Sequence, residues 1–154
     1  MRPINCNDYI EKFLSKLKKS LGKNLGSVAL FGSVARNEAK PDSDIDLLII
    51  VKKDRIENFK KYIKVKTEIE GLTPPFFSSV FTTEERLRKN PLILLDILHE
   101  GKILYDPDDI LKNVLESLKK KLQMLGACRR KVGEYWLWDL KPDWVPGEEF
   151  EIEL

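Results

Sequence analysis

The most constraining feature of the sequence is an almost unbroken apolar run from Ile45 to Val51, interrupted only by Asp46. Successive side chains of a strand point to opposite faces of its sheet. A strand that is apolar at nearly every position is therefore buried on both faces. We expect this segment to be the central strand of a sheet.

Two further elements precede this strand. Apolar residues recur at helical spacing from Ile10 to Leu21, which predicts an amphipathic helix with Asn7 as its N-cap. The apolar run 28–31 is bounded by glycines and predicts a buried strand. The residues from Ser33 to about Glu38 then resemble the start of a short helix.

The segments after the central strand alternate between helical and strand patterns. The pattern predicts a helix over 55–70 and a strand over Phe76–Phe81. A Thr82–Glu85 capping box then begins a short helix, and a further helix follows over 91–100. A strand over 102–105 leads into a long helix capped by Asp106 and Pro107. An apolar stripe runs along the long helix from Ile110 to Leu125. This stripe is either core or the seam of a homodimer.

The chain length predicts one globular unit. With 154 residues, of which 42% are hydrophobic, the chain can bury one core. We assign residues 1–126 to the body and residues 127–154 to a C-terminal extension that contains Trp136, Trp138 and Trp144. Tryptophans in an extension of this size are anchors that pack on the body or on a partner subunit, or platforms that stack a base.

Charge and cysteine usage indicate a cytoplasmic protein. A net charge of +2 gives no argument for nucleic acid or membrane over the whole chain. The basic runs Lys16–Lys23 and Lys119–Lys131 are interpreted as solvated helix faces, with nucleic-acid contact as the alternative. Cys6 and Cys128 are expected to be reduced thiols.

No apolar run reaches the ~20 residues of a membrane span, and the start MRPINCNDY lacks the apolar stretch of a signal peptide. With a single histidine, His99, the chain gives no sign of a zinc site. The charged fraction of 34% is typical of the surface ion pairs of thermophiles.

The segment between the two strands carries the residues suited to chemistry. Gly32 and Ser33 end one strand and open a helix, which offers backbone N–H groups and a hydroxyl to phosphate. Asp44 and Asp46 alternate at the head of the next strand, so both carboxylates face the same way. Two adjacent carboxylates repel each other unless a cation lies between them, and hard oxygen ligands favour Mg²⁺ (or Mn²⁺). Arg36, one helical turn from Ser33, is a further cation for phosphates.

These residues resemble the DNA polymerase β nucleotidyltransferase superfamily, and above all its minimal archaeal and bacterial members. The resemblance rests on Gly32-Ser33, on the spacing to the run SDIDL that begins at Ser43, and on the later segment LHEGKILYD. It covers the chain to about Tyr105. It implies an α+β fold with a mixed sheet flanked by helices, an NTP substrate (with ATP expected) bound with a divalent cation, and Gly32, Ser33, Arg36 and Ser43 at the nucleotide.

Two positions depart from the superfamily's pattern. Asn37 stands where glycine is frequent, and asparagine tolerates a left-handed backbone. More important, active members carry a third carboxylate on the following strand, where this chain offers Ser78 and Ser79. The candidates to replace it are Glu68, Glu70, Asp96 and Asp139, of which Asp139 in the motif WLWDLKPDW is the preferred catalytic candidate.

Two functions follow as hypotheses. The first is an enzyme that moves a nucleoside monophosphate from an NTP to a hydroxyl or phosphate acceptor. The second is a regulatory module that binds nucleotide, such as the antitoxin of a toxin–antitoxin pair, whose partner is a helical protein.

Overall fold

The computed structural model describes residues 5–154. The prediction that the chain has no signal peptide rests partly on residues 1–4, which lie outside this range. The strands of the main sheet are β1 (Leu25–Phe31), β2 (Ile45–Val51), β3 (Phe77–Thr82) and β4 (Lys102–Tyr105). Their order is β3-β2-β1-β4. β1 is antiparallel to β2 and β4, whereas β2 and β3 are parallel. The sheet is therefore mixed, as predicted.

Helices cover both faces of this sheet. They are α1 (Cys6–Leu21), α2 (Gly32–Ala35), α3 (Ile56–Ile69), α4 (Glu84–Lys89), α5 (Ile93–Glu100) and α6 (Ile110–Leu125). Residues of α1 and α3 share one buried cluster with the sheet, and residues of α4, α5 and α6 share another. The predicted α+β fold is confirmed.

The central position of β2 follows from its alternating side chains. Leu47 and Ile49 are buried in the cluster that contains α1 and α3. Leu48 and Ile50 are buried in the cluster of α4, α5 and α6. Since Asp46 alternates in step with Leu48, it points to the same side of the sheet as α4, α5 and α6.

Several boundaries differ from the prediction because local hydrogen bonds select other residues. Asn5, rather than Asn7, caps α1, and its side chain accepts a hydrogen bond from the Asn7 amide. Thr83, rather than Thr82, caps α4 through the Arg86 amide, since Thr82 is still paired within the sheet. The short helix expected from Ser33 to about Glu38 is one turn, Gly32–Ala35.

The N-cap position of α6 is held by Asp109, without a side-chain capping bond, and the predicted capping residue Asp106 binds the first turn from three residues earlier. Asp106 accepts hydrogen bonds from the amides of Leu111 (3.1 Å) and Lys112 (2.9 Å). The buried Ser27 hydroxyl of β1 donates to the same carboxylate at 2.6 Å. Within one chain the apolar stripe of α6 is buried against the sheet, so it is core.

The C-terminal extension forms a hairpin, and the chain then continues as an irregular segment, residues 140–154, which we call the strap. The hairpin consists of β5 (Cys128–Val132) and β6 (Tyr135–Asp139), so the end of the basic run Lys119–Lys131 lies on a strand and not on a helix as expected. From the hairpin and the strap, four side chains pack on the cluster of α4, α5 and α6, namely Trp138, Leu140, Ile152 and Leu154. Trp136 and Trp144 are about half exposed.

Among residues 5–154, no helix has the length and apolar character needed to cross a membrane.

Candidate nucleotide and metal site

Gly32 lies directly against Asp46. The backbone of Gly32 has φ +72°, in the left-handed region that favours glycine. A β-carbon built on residue 32 would lie 2.1 Å from Oδ2 of Asp46. The register of the antiparallel pair explains this approach, since Phe31 is the partner of Asp46. The turn after β1 and the head of β2 thus form one corner.

The two predicted carboxylates come together at this corner. Asp44 is exposed and precedes β2, whereas Asp46 is half-buried within the strand. Partial burial and the neighbouring Asp44 carboxylate raise the pKa of Asp46 above its ordinary value, and the Ser78 hydroxyl and the Arg36 guanidinium oppose this rise. The charged form of Asp46 is therefore less favourable here than it would be in water.

Arg36 lies close enough to influence Asp46 but is bound by two other carboxylates. Its Nε is 2.7 Å from Glu38 and its Nη1 is 2.7 Å from Glu100. These contacts raise the pKa of Arg36 and hold its guanidinium between α2 and the end of α5. The contact with Glu100 could not be read from the sequence, because the two residues are 64 positions apart and share no motif.

The backbone after α2 turns in the way expected from Asn37. This residue has φ +59°, a left-handed conformation that asparagine tolerates better than most residues. The amide of Glu38 then donates to the Ser33 carbonyl at 2.9 Å, which closes the turn. Asn37 therefore adopts the left-handed conformation that explains why glycine is frequent at this position.

The two serines predicted at the nucleotide lie on either side of the loop between β1 and β2. Ser33 is half-buried in the single turn of α2. The Ser43 hydroxyl accepts a hydrogen bond from the Lys40 amide at 2.8 Å, and the Ser43 amide donates to the Lys40 carbonyl at 3.0 Å. Ser43 thereby fixes the turn that leads into Asp44.

The candidates for a third carboxylate all lie in other surroundings. Glu68 pairs with Lys16 at 3.1 Å, and Glu70 accepts a hydrogen bond from the Phe77 amide at 2.5 Å. Asp139 pairs with Arg130 at 2.7 Å across the hairpin, and Asp96 is exposed on α5. Across residues 5–154, no three His, Cys, Asp or Glu side chains form a group that could hold a metal ion. The preferred candidate Asp139 thus does not join Asp44 and Asp46, because its strand pairs with β5 rather than with the main sheet.

Of the two serines that the sequence offered on the following strand, Ser78 is the one that lies beside Asp46. In the parallel pair of β2 and β3, Ser78 is the register partner of Asp46. Its side chain is exposed and lies on the same face of the sheet as Asp46. The sequence offered one sign of this position, namely that the superfamily's third carboxylate is expected on this strand.

His99, for which the sequence analysis predicted no function, contacts the guanidinium of Arg129 at the start of the hairpin. Arg129 also lies over the ring of Trp136, 5.1 Å from its centroid. These contacts join the C-terminal extension to the end of α5, one residue from Glu100. The hairpin therefore begins near the residues that hold Arg36.

The donor set at the corner suits a divalent cation. Asp44 and Asp46 provide hard carboxylate oxygens on one side, which leaves the remaining ligand positions to water and to substrate phosphates, as Mg²⁺ prefers. Beside them, Gly32 lets the turn after β1 lie against the Asp46 carboxylate, an approach that a side chain on residue 32 would block. The arrangement can hold a cation and a phosphate next to each other.

Comparisons with known proteins agree with this geometry. The family model described as Polymerase beta, Nucleotidyltransferase matches residues 11–110. MJ1305 of Methanocaldococcus jannaschii, provisionally named a protein adenylyltransferase, is 38% identical over 119 residues, which are 73% of this chain and 80% of that protein. The protein adenylyltransferase MntA of Thermococcus cleftensis is 38% identical over 65 residues, or 41% of this chain and 64% of that protein.

Solved structures with the same fold are more distant in sequence. Spectinomycin adenyltransferase AAD(9) from Enterococcus faecialis, solved with ATP and spectinomycin, aligns with a TM-score of 0.55 at 14% identity, over 79% of this chain and 68% of that chain. A toxin–antitoxin structure with AMP-PNP aligns with a TM-score of 0.52 at 18% identity, over 74% of this chain and 90% of that chain. Since the family model spans both the Gly32 corner and the carboxylate pair, the chain belongs to the polymerase β nucleotidyltransferase family and is a nucleotidyltransferase.

Proposed function

We propose that this enzyme transfers AMP from ATP to a hydroxyl group of a protein side chain, with a divalent cation held by Asp44 and Asp46. The observation that carries the proposal is the contact of Gly32 with Asp46, which places the backbone turn after β1 directly beside the carboxylate pair. The choice of a protein acceptor is supported by the relatives named protein adenylyltransferases, MJ1305 and MntA. The choice of ATP is supported by the same names.

The cation would be Mg²⁺ or Mn²⁺. Burial and the Asp44 charge raise the pKa of Asp46, so a cation bound by the two carboxylates would offset part of this cost. When bound, the ion neutralises charge on the phosphates of an in-line displacement. Asp44, which is exposed, is the carboxylate that substrate reaches first.

The phosphates would bind along the turn after β1. Gly32 lets this turn lie directly against Asp46, the Ser33 hydroxyl can donate to a phosphate oxygen, and Arg36 supplies positive charge. Since Glu38 and Glu100 already bind Arg36, a phosphate would have to compete with them or share the guanidinium. Ser43 would act by keeping the loop before Asp44 in place.

In the transfer, the acceptor oxygen forms a bond to the α-phosphorus while the bond from that phosphorus to pyrophosphate breaks. The hydroxyl proton must pass to a base. Because no third carboxylate joins the pair among residues 5–154, we assign the base to solvent or to the acceptor protein.

The test is calorimetry with ATP and Mg²⁺ on the wild type, on Asp44→Ala and on Asp46→Ala. We expect binding that needs Mg²⁺ in the wild type and is lost in both variants. Incubation of a cell extract with ATP labelled at the α-phosphate should then transfer label to protein, whereas label at the γ-phosphate should leave as pyrophosphate. Absence of Mg²⁺-dependent binding in the wild type would remove the proposal.

A second candidate function is that of a nucleotide-binding antitoxin with slow or no transfer. It is favoured by one observation, the lack of a third carboxylate at the site within the described residues. The fold it shares with a toxin–antitoxin structure is compatible with this role. A helical partner protein that co-purifies with the chain unmodified, with its own activity suppressed, would favour this candidate over transfer.

A further inference from the structure

The position next to Asp46 on the neighbouring strand is held by a hydroxyl. β2 and β3 run parallel, and their register pairs Asp46 with Ser78, while Leu48 pairs with Val80. Paired residues of adjacent strands lie about 5 Å apart and point to the same face. The Ser78 side chain therefore lies beside the Asp46 carboxylate, on the side of the sheet that the Asp44 carboxylate is also expected to face.

This neighbour carries no charge. An aspartate at residue 78 would complete a set of three carboxylates on two adjacent strands, whereas serine leaves two. The other acidic candidates cannot fill the place in this fold, since Glu70 binds the Phe77 amide and Asp139 binds Arg130. The exposed Ser78 side chain has room for a larger group.

The charge of the ligand set limits the number of ions. In two-metal sites the ions lie about 3.5–4 Å apart, and their mutual repulsion is four times that of two unit charges at the same distance. Anionic ligands shared by both ions offset this repulsion. Besides the triphosphate, which itself binds the first ion, Asp44 and Asp46 are the anionic ligands that two ions would have to share, and Ser78 adds only a neutral and weak ligand.

We propose that Ser78 sets the capacity of this site at one divalent ion per bound nucleotide, and that a carboxylate at residue 78 would create a second ion site. The inference rests on the proposed function, because it takes Asp44 and Asp46 as the metal ligands. One ion suffices to place the triphosphate beside Gly32. A second ion, which would bind the acceptor hydroxyl, has no complete ligand set in this chain.

The experiment counts Mn²⁺ ions bound per chain by electron paramagnetic resonance of free Mn²⁺, in the presence of a saturating ATP analogue with a non-hydrolysable bond after the α-phosphate. Mn²⁺ held by analogue that is free in solution is subtracted. We expect one ion for the wild type, two for Ser78→Asp and one for Ser78→Asn, which has the shape of aspartate without its charge. Val80→Asp is the control for charge alone: residue 80 lies on the same face of β3 as Ser78 but is paired with Leu48, two residues along the strand from Asp46. This variant should also bind one ion.

Each outcome decides a different claim. Two ions on the wild type would overturn the role of Ser78 and leave the proposed function standing. One ion on Ser78→Asp, in a variant with the wild-type circular dichroism spectrum, would also overturn it. No ion on the wild type with the analogue bound would overturn the proposed function itself. If Ser78→Asp fails to fold, Ser78→Glu, which carries the same charge on a longer side chain, takes its place, and one ion on that folded variant would overturn the role of Ser78.

Discussion

Gly32 and Asp46 approach so closely that no side chain fits between them, because a β-carbon on residue 32 would lie 2.1 Å from the Asp46 carboxylate. Residue 32 begins the turn after β1 and Asp46 is the second residue of β2, so this single contact fixes the proposed phosphate-binding turn relative to the proposed metal ligands. The left-handed backbone of Gly32 is a separate constraint at the same position.

Gly32→Ala is therefore expected to weaken binding of ATP with Mg²⁺ at least about tenfold, since Asp46 must move to admit the methyl group. The matched control is Gly126→Ala at the end of α6. Gly126 has nearly the same φ, +69°, but open space around its β-carbon position. Both variants should lose about 1 kcal/mol from backbone strain, and only Gly32→Ala should lose binding as well. Calorimetry and thermal unfolding measure both effects, and equal loss of binding in the two variants would contradict the role of the contact.

Asp46→Asn should stabilise the metal-free protein at neutral pH. The native pKa of Asp46 is raised, so the native state binds more protons than the unfolded state and stability falls as pH rises through the ordinary carboxylate range. The penalty is complete above the raised native pKa. Solvent screens this half-exposed group, so we expect a gain of at most about 1 kcal/mol.

This gain should disappear in acid, where the carboxylate is protonated in both states. It should also disappear when Mg²⁺ is added to the wild type. Thermal unfolding as a function of pH measures the effect, with Asp42→Asn in the exposed loop as a control that is expected to change little. A stability difference for Asp46→Asn that is constant from acid to neutral pH would refute the assignment.

Arg36→Gln should weaken binding of ATP about tenfold and binding of AMP by much less, because the guanidinium is assigned to the terminal phosphates. The variant also releases Glu38 and Glu100. Lys40→Gln, in the exposed loop before Asp44, removes one positive charge without these contacts and serves as the control. An equal loss of affinity for ATP and AMP would show that Arg36 acts by shaping the turn.

Asp139→Asn should leave turnover within about twofold of the wild type, since its carboxylate pairs with Arg130 in the hairpin. An exposed pair of this kind contributes less than about 1 kcal/mol, so the variant should also unfold at nearly the same temperature. Transfer of α-labelled phosphate is the measurement. A loss of more than about tenfold in turnover would return Asp139 to the catalytic role that the sequence favoured.

Trp138→Ala should lower the free energy of unfolding by about 2 kcal/mol, because this ring packs on the cluster of α4, α5 and α6. The neighbouring Trp136 is 55% exposed and lies mainly against Arg129, so Trp136→Ala should cost less than about 1 kcal/mol. Urea unfolding of the two variants compares them. Equal costs would mean that the hairpin does not anchor the extension through Trp138.

Local sequence determined the elements and the central strand. The apolar run from Ile45 to Val51 could be buried only between two layers, and the structure places it between β1 and β3 under helices on both faces. Asn37 and Asp106 acted as their side-chain chemistry predicts, in a left-handed turn and at the first turn of a helix. The resemblance to the polymerase β nucleotidyltransferase superfamily depended on the same local residues.

Tertiary structure alone decided what lies around the two carboxylates. The pairing of Asp46 with Ser78 depends on the register of two parallel strands that are separated by a whole helix. The binding of Arg36 by Glu100 joins elements far apart in the chain, and Asp139 was drawn away from the site by pairing with β5. Periodicity reports which face of an element is buried, but it carries no information about which distant element packs there. For this reason the sequence could single out Asp44 and Asp46 as candidates, whereas only the fold decided that Ser78, and not Ser79, lies beside Asp46.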